Sequence, residues 1–222
     1  MNNLTFSASL MCADYLALDK QLLALKETGI KSLHIDIMDG NFVPNLAFNF
    51  DICRQIRQKY SMPMDIHLMV TNPEDYLDQL RTLKPEMVAF HIEAARYPIR
   101  LAEELKNLDI NPGIALNPST SINDIKYITK YFNYVLVMSV EPGFYGQKFI
   151  QSTYEKIESL KSLKTNDNSF KLGVDGNINV ENAKKCISCG VEFLVCGTSS
   201  IFKKDGDLKS DTTGYLSNFQ CD

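Results

Sequence analysis

Eight short apolar runs rich in β-branched residues recur along the chain, and the stretches between them carry the spacing of amphipathic helices. The runs predict strands at Thr5 to Leu10, Ser32 to Met38, Met64 to Val70, Met87 to His91, Pro112 to Leu116, Tyr134 to Val140, Lys171 to Asp175 and Phe193 to Gly197. Helices are expected over Leu16 to Thr28, Asp51 to Tyr60, Glu74 to Leu83, Ile99 to Leu108, Ser121 to Ile128, Thr153 to Leu163 and Val180 to Ser188. Asn72-Pro73-Glu74 and Asn179 supply start signals, and Gly29 and Gly190 supply stops. Repetition of strand then helix, with no linker rich in Pro, Gly or Ser, points to one α/β unit over residues 1–222, a single-domain (β/α)8 TIM barrel. A doubly wound open sheet fits less well. Such a sheet usually carries a Gly-rich turn after its first strand, where this chain has Ser9-Leu10-Met11-Cys12.

A barrel places functional side chains at the C-terminal ends of its strands. Ser9, His34, Asp36, His67, His91, Asp175 and the turn Gly197-Thr198-Ser199 all fall there. Alternate residues of a strand share a face, so His34, Asp36 and Met38 point one way, as do Asp65, His67 and Met69. His34, Asp36, His67 and Asp175 then make a candidate metal set of two imidazoles and two carboxylates. It suits zinc or iron(II), with manganese(II) or cobalt(II) also compatible, and leaves a position for substrate. His91 reads as a hydrogen-bonded polar residue at the barrel mouth, outside that set. Asp36 and Asp175, on the second and seventh strands, are expected to face each other across the mouth. Opposed carboxylates serve a two-base inversion, in which one takes a proton from one face of a carbon and the other returns a proton to the opposite face. A metal beside a ketone would polarise the carbonyl and hold the resulting enediolate. Taken alone, Asp175 is also an ordinary first residue for the turn Asp175-Gly176-Asn177. Met38, Met69 and Met138 are either core filler or apolar walls that exclude water without offering an acidic proton.

Glu141-Pro142-Gly143-Phe144-Tyr145-Gly146-Gln147, Gly176-Asn177 and Gly197-Thr198-Ser199 follow the last three strands. Loops in these places form the recurrent phosphate cradle of barrels, built from backbone N–H groups and small hydroxyls. A net charge of −4 and scattered lysines exclude a basic nucleic-acid footprint, and no apolar run approaches a membrane span, so the expected partner is a small molecule. Met1-Asn2-Asn3-Leu4 has neither a basic nor an apolar leader region, and the six cysteines are read as reduced thiols of a cytoplasmic protein. Cys186-Ile187-Ser188-Cys189 reads as two small residues near a helix end, because no second ligand pair accompanies it.

With these residues in view, the chain resembles the ribulose-phosphate 3-epimerase family from Ser9 to about Phe202. The motifs that carry the resemblance are Ser9-Leu10-Met11-Cys12-Ala13-Asp14, His34-Ile35-Asp36-Ile37-Met38-Asp39-Gly40-Asn41-Phe42-Val43-Pro44-Asn45, His67-Leu68-Met69-Val70, Ala115-Leu116-Asn117-Pro118, Val137-Met138-Ser139-Val140-Glu141-Pro142-Gly143-Phe144, Val174-Asp175-Gly176 and Gly197-Thr198-Ser199. The resemblance implies His34, Asp36, His67 and Asp175 as ligands of one divalent ion per subunit, and Asp36 and Asp175 as acid and base. It implies Ser9 and His67 as substrate contacts, with Gly143, Phe144, Tyr145, Gly146, Gly176, Asn177, Gly197, Thr198 and Ser199 holding the substrate, mainly at its phosphate. The implied reaction interconverts D-ribulose 5-phosphate and D-xylulose 5-phosphate, and a homo-oligomer is expected. Two positions depart from the family pattern. Tyr145 stands where a lid glycine is usual, which predicts altered closure, and Asn177 replaces the second glycine of Asp-Gly-Gly, which predicts a side chain turned toward the phosphate. Ser9-Leu10-Met11-Cys12 and Gly197-Thr198-Ser199 look like the D-allulose-6-phosphate 3-epimerase branch, so that longer ketose is the alternative substrate. A non-catalytic sugar-phosphate binding barrel would share the phosphate cradle, as would the barrel decarboxylases and aldolases. These last enzymes commonly need a lysine at a strand end, and strands two, three and six end without one.

Overall fold

The computed structural model describes residues 4–219. Its parallel strands are β1 (Thr5–Ser9), β2 (Ser32–Asp39), β3 (Met64–Met69), β4 (Met87–His91), β5 (Asn111–Leu116), β6 (Tyr134–Met138), β7 (Lys171–Asp175) and β8 (Phe193–Cys196). Each pairs with the next, and β1 pairs with both β2 and β8, so the sheet closes into the expected (β/α)8 barrel. Closure leaves no open edge among these eight strands, and both faces of the barrel wall are covered. The strands are therefore mostly apolar instead of strictly alternating, which is why they stand out in the sequence. The outer layer consists of α1 (Leu18–Lys26), α2 (Phe50–Lys59), α3 (Leu77–Leu83), α4 (Pro98–Asn107), α5 (Thr153–Lys161), α6 (Val180–Cys189) and α7 (Leu208–Ser217).

Two differences from the sequence reading have local causes. The helix expected over Ser121 to Ile128 is absent; 3₁₀ turns at Ile122–Asp124 and Thr129–Tyr131 take its place. This stretch is built from β-branched and Asn/Asp residues of low helix propensity, and Ser121 Oγ accepts from the Asn123 N–H, which favours a tight turn. In contrast, α7 forms where the sequence gives little helix signal. Its Ser, Thr and Gly content masks the stripe of Thr212, Tyr215 and Leu216 that it buries. Cys186 and Cys189 lie buried at the end of α6 before the left-handed Gly190, as read from sequence.

Inside the barrel, Ala89, Ala115, Tyr134, Leu136, Phe193 and Val195 form a compact cluster beneath the mouth. Gly113 makes room for the Tyr134 ring; a Cβ there would lie 2.2 Å from it. Gly113→Ala is therefore expected to cost at least the ~1–3 kcal/mol of an overpacked core, read as a lower midpoint in denaturant unfolding. Unchanged stability would show that the ring has a second place to go.

At the opposite end of the barrel Glu86 joins three strands. Its Oε2 accepts from the Met64 N–H at 2.7 Å and from Arg57 at 2.8 Å, while its backbone oxygen accepts from the Asn111 N–H at 3.1 Å. Partial burial pushes the carboxyl upward in pKa, but Arg57 and the Met64 N–H outweigh it and hold the group below the usual glutamate value. A lowered folded pKa adds stability above the unfolded value of 4.5, lost as pH falls through the folded one. Because the pair is half exposed, Glu86→Gln is expected to cost below ~1 kcal/mol at pH 7, with the gap from wild type closing under acid. A gap constant from pH 7 to about pH 3 would contradict this account.

Candidate active site

Strand register builds the site. Parallel pairing sets Ser9 beside His34, Asp36 beside His67, and Met138 beside Asp175 at the C-terminal ends of their strands. His34, Asp36 and His67 are buried and Asp175 is partly exposed, and one ligand atom from each lies within 4.8 Å of all the others. His34 Nε2 is 3.3 Å from Asp36 Oδ1 and 3.6 Å from Asp175 Oδ2; His67 Nδ1 is 3.2 Å and 3.8 Å from the same two atoms. Ser9 Oγ donates to the other Asp36 oxygen at 3.2 Å.

Behind this cluster each imidazole is held by its outer nitrogen. His34 Nδ1 lies 2.5 Å from Asp65 Oδ2, and Asp65 Oδ1 accepts from the Tyr134 hydroxyl at 3.0 Å. His67 Nε2 lies 2.9 Å from His91 Nε2, and His91 Nδ1 lies 3.1 Å from Glu93 Oε2. Sequence reasoning places Asp65 on the correct face but gives it no part, and it misses Tyr134 and Glu93 altogether. A carboxylate inside an apolar strand run is the available signal for Asp65, since a buried charge requires a partner.

These surroundings set the charges. Burial opposes protonation of His34, yet Asp36 and Asp65 outweigh it and raise its pKa well above the ordinary histidine value. Burial likewise opposes ionisation of Asp36, but His34 and His67 hold the carboxyl far below the usual range. Burial takes His91 down to about 4, against the opposing pull of Glu93. Glu93 falls to about 2 despite its own burial, through His91, Thr120 and the Asn117 N–H. His34 Nε2 is buried without a hydrogen-bond partner and faces two carboxylate oxygens and a second imidazole nitrogen. Two imidazole nitrogens and two carboxylate oxygens converging on one point fit a divalent cation.

Above this floor opens a cavity of about 290 Å³, at the small end of the ~300–1,000 Å³ of ligand sites. Asp36, Asp175 and Ser9 reach its surface, and Met38, Met69 and Met138 line its apolar side. Gly143 to Gly146, Gly176, Asn177 and Gly197 to Ser199 close the rest, with no lysine or arginine among the lining residues. The N–H groups of Gly176, Asn177 and Ser199 have no acceptor among the described residues. His67 lies beneath the floor, its ring within 23° of coplanar with that of His91 and joined to it edge to edge through the two Nε2 atoms, so it is placed to hold Asp36 and Asp175 and not to line the cavity.

Both departures in the loops have clear geometry. Tyr145 does not carry the left-handed backbone of the lid, which falls on Gly143 (φ 107°) and Gly146 (φ 83°). Asn177 does adopt φ 50°, and its side chain is engaged by the Gln147 carbonyl, to which it donates at 2.6 Å. Gln147 in turn donates to the carbonyls of Glu141 and Phe144, and Asn45 donates to that of Gly143 at 2.8 Å. The lid is thus braced from both neighbouring loops.

The fold and the site define a (β/α)8 barrel with a centre of two histidines and two aspartates at its C-terminal mouth. Among solved structures, the fold is similar to phosphoribosyl anthranilate isomerase from Thermus thermophilus (TM-score 0.71, 12% identity, 98% of this chain and 100% of that one). The chain belongs to the ribulose-phosphate 3-epimerase family, whose model matches residues 5–202. It is 39% identical over 204 residues to the ribulose-phosphate 3-epimerase of Methanocaldococcus jannaschii, covering 91% of this chain and 86% of that protein. It is 38% identical over 201 residues to the enzyme of the same name from Helicobacter pylori, covering 90% and 92%. Among the described residues no helix is long and apolar enough to cross a membrane.

Proposed function

We propose that this protein is a metal-dependent isomerase that interconverts D-ribulose 5-phosphate and D-xylulose 5-phosphate by moving a proton at C3. The observation that carries this reading is the placement of Asp36 and Asp175, both on the cavity floor and both aimed at one pair of imidazole nitrogens. The four side chains would hold zinc or iron(II), and the ion would supply electrophilic polarisation of the ketone. Asp36 takes the C3 proton on one face and Asp175 delivers a proton on the other, with the roles exchanged in the reverse direction. Ser9 Oγ, bonded to Asp36, keeps that carboxylate aimed at the substrate. Met38, Met69 and Met138 exclude water while offering no competing proton. The free amides after β7 and β8, with the lid after β6, receive the phosphate. The names of the relatives favour the pentulose over D-allulose 6-phosphate, and the lining without lysine disfavours decarboxylase or aldolase chemistry. Association of copies of the chain is part of this reading, supported by exposed Tyr15, Leu16, Leu46 and Tyr145 gathered beside the mouth.

Turnover in deuterated water tests the reaction directly: xylulose 5-phosphate should form with deuterium at C3, and product without it would exclude proton exchange at that carbon. Phosphate recognition has its own consequence, because binding energy from the remote phosphate positions C3 between the carboxylates. Free ribulose should therefore lose several powers of ten in kcat/KM, on the order of the 10⁵–10⁸ M effective molarities of well-held reactants at most. Asn177→Gly removes one brace of the lid, worth ~1 kcal/mol, and should raise KM for the phosphorylated ketose roughly fivefold with metal content unchanged. Equal turnover of ribulose and its phosphate would reduce these loops to tight turns.

A further inference from the structure

The two imidazoles of the centre are held in opposite senses. His34 presents Nε2 to the carboxylates while its Nδ1 meets Asp65, whereas His67 presents Nδ1 while its Nε2 meets another imidazole. A carboxylate can only accept, so Asp65 fixes the hydrogen of His34 on Nδ1 by itself. His91 has no such fixed sense, because either nitrogen of a neutral imidazole can accept or donate. What settles it is the next residue. Glu93 Oε2 lies 3.1 Å from His91 Nδ1, which places the His91 hydrogen there and leaves Nε2 as an acceptor 2.9 Å from His67. The hydrogen of His67 then sits on Nε2, and its Nδ1 lone pair points at the site.

The geometry points to His91 and Glu93 as positioning residues: a buried relay that sets the tautomer of His67 and so makes its Nδ1 available to a divalent cation. Its outer end is fixed as well. Glu93 Oε1 accepts from the Asn117 N–H at 2.8 Å and from the Thr120 hydroxyl, which ties the relay to the loop after β5. Its inner end is covered by Phe42, whose ring centroid lies 4.7 Å from that of His91, so the relay stays dry. The loop that carries Phe42 is itself pinned, since Asp39 accepts from the N–H groups of Asn41, Phe42 and Thr71. Outer partners of ligand histidines usually are carboxylates or carbonyls acting directly. Here a second imidazole carries the instruction one residue further.

This inference rests on the cation reading above, and the two can fail separately. Long-range ¹H–¹⁵N correlation spectra of the metal-free wild type should show a hydrogen on Nε2 of His67 and one on Nδ1 of His34, the nitrogens that face His91 and Asp65. A His67 ring with its hydrogen on Nδ1 and none on Nε2 would overturn the relay whatever the protein binds. Failure of the wild type to bind zinc or cobalt(II) would instead refute the cation reading alone. Three variants then measure the effect by titration with zinc and by the visible spectrum of the cobalt(II) protein. His91→Leu keeps the volume but removes the acceptor, and should lose on the order of 10–100-fold in metal affinity and mix the tautomers of His67. His91→Gln can accept from His67 through its oxygen and donate to Glu93, and should stay within about threefold of wild type. Glu93→Gln, at the partly exposed end of the relay, tests the idea where the leucine variant fails to fold; it should weaken affinity severalfold and alter the cobalt spectrum. Equal affinities for the leucine and glutamine variants, or an unaltered affinity and spectrum in Glu93→Gln, would leave His91 as packing only.

Discussion

Exhaustive chelation is expected to abolish turnover, and zinc or iron(II) to restore it. Polarisation of a carbonyl by a bound cation is worth several kcal/mol, and each 1.36 kcal/mol is a factor of ten, so the loss should reach roughly 10³-fold or more. His34→Ala and His67→Ala should each lose stoichiometric metal while far-ultraviolet circular dichroism still reports a folded barrel. The physical reason is that the centre is costly without its ion. Asp36 stays ionised in a buried place, and His34 must hold a proton to answer it. A bound cation would take the place of that proton and satisfy the buried, unpartnered Nε2 of His34. Full activity in rigorously metal-free protein would sink both the cation and the electrophilic role assigned to it.

Asp36→Asn and Asp175→Asn are each expected to lower kcat for epimerisation by on the order of 10²–10⁴, the usual loss on removing a general acid or base. Weaker cation binding would add to that, so each variant is assayed at saturating metal with its metal content measured. Exchange of the C3 proton with solvent separates the two faces: each variant should retain exchange only for the epimer whose proton faces the surviving aspartate. A variant that epimerises near the wild-type rate with metal bound would remove its aspartate from the proton path.

The strands and the four central residues are legible in the sequence for one reason. A closed parallel barrel buries every strand on both faces, so polar residues at the strand ends interrupt apolar runs and stand out. The rest depends on contacts that no periodicity encodes. Tyr134 meets Asp65 across 69 residues, and the Asn177 side chain is taken up by the Gln147 carbonyl of the preceding loop. Tyr145 looks awkward for the lid only while the left-handed positions are unknown; Gly143 and Gly146 carry them. The missing fifth helix follows the weak local preference that its apolar spacing hides, whereas α7 forms because packing of its buried stripe overrides a weak local preference.

Closure of the barrel through β1 also governs when the site can exist. Ser9 and His34 come from the first strands to leave the ribosome, Asp175 from the seventh, and the turn at Gly197 from the last. A nascent chain that ends before Lys171 holds three of the four central side chains and neither loop of free amides. On the proposed function, metal capture and phosphate recognition would therefore be late events in the life of each molecule, coupled to the longest-range pairing in the fold, that of β1 with β8. A product of synthesis that stops before β7 would lack the full centre and the loops proposed to hold the phosphate.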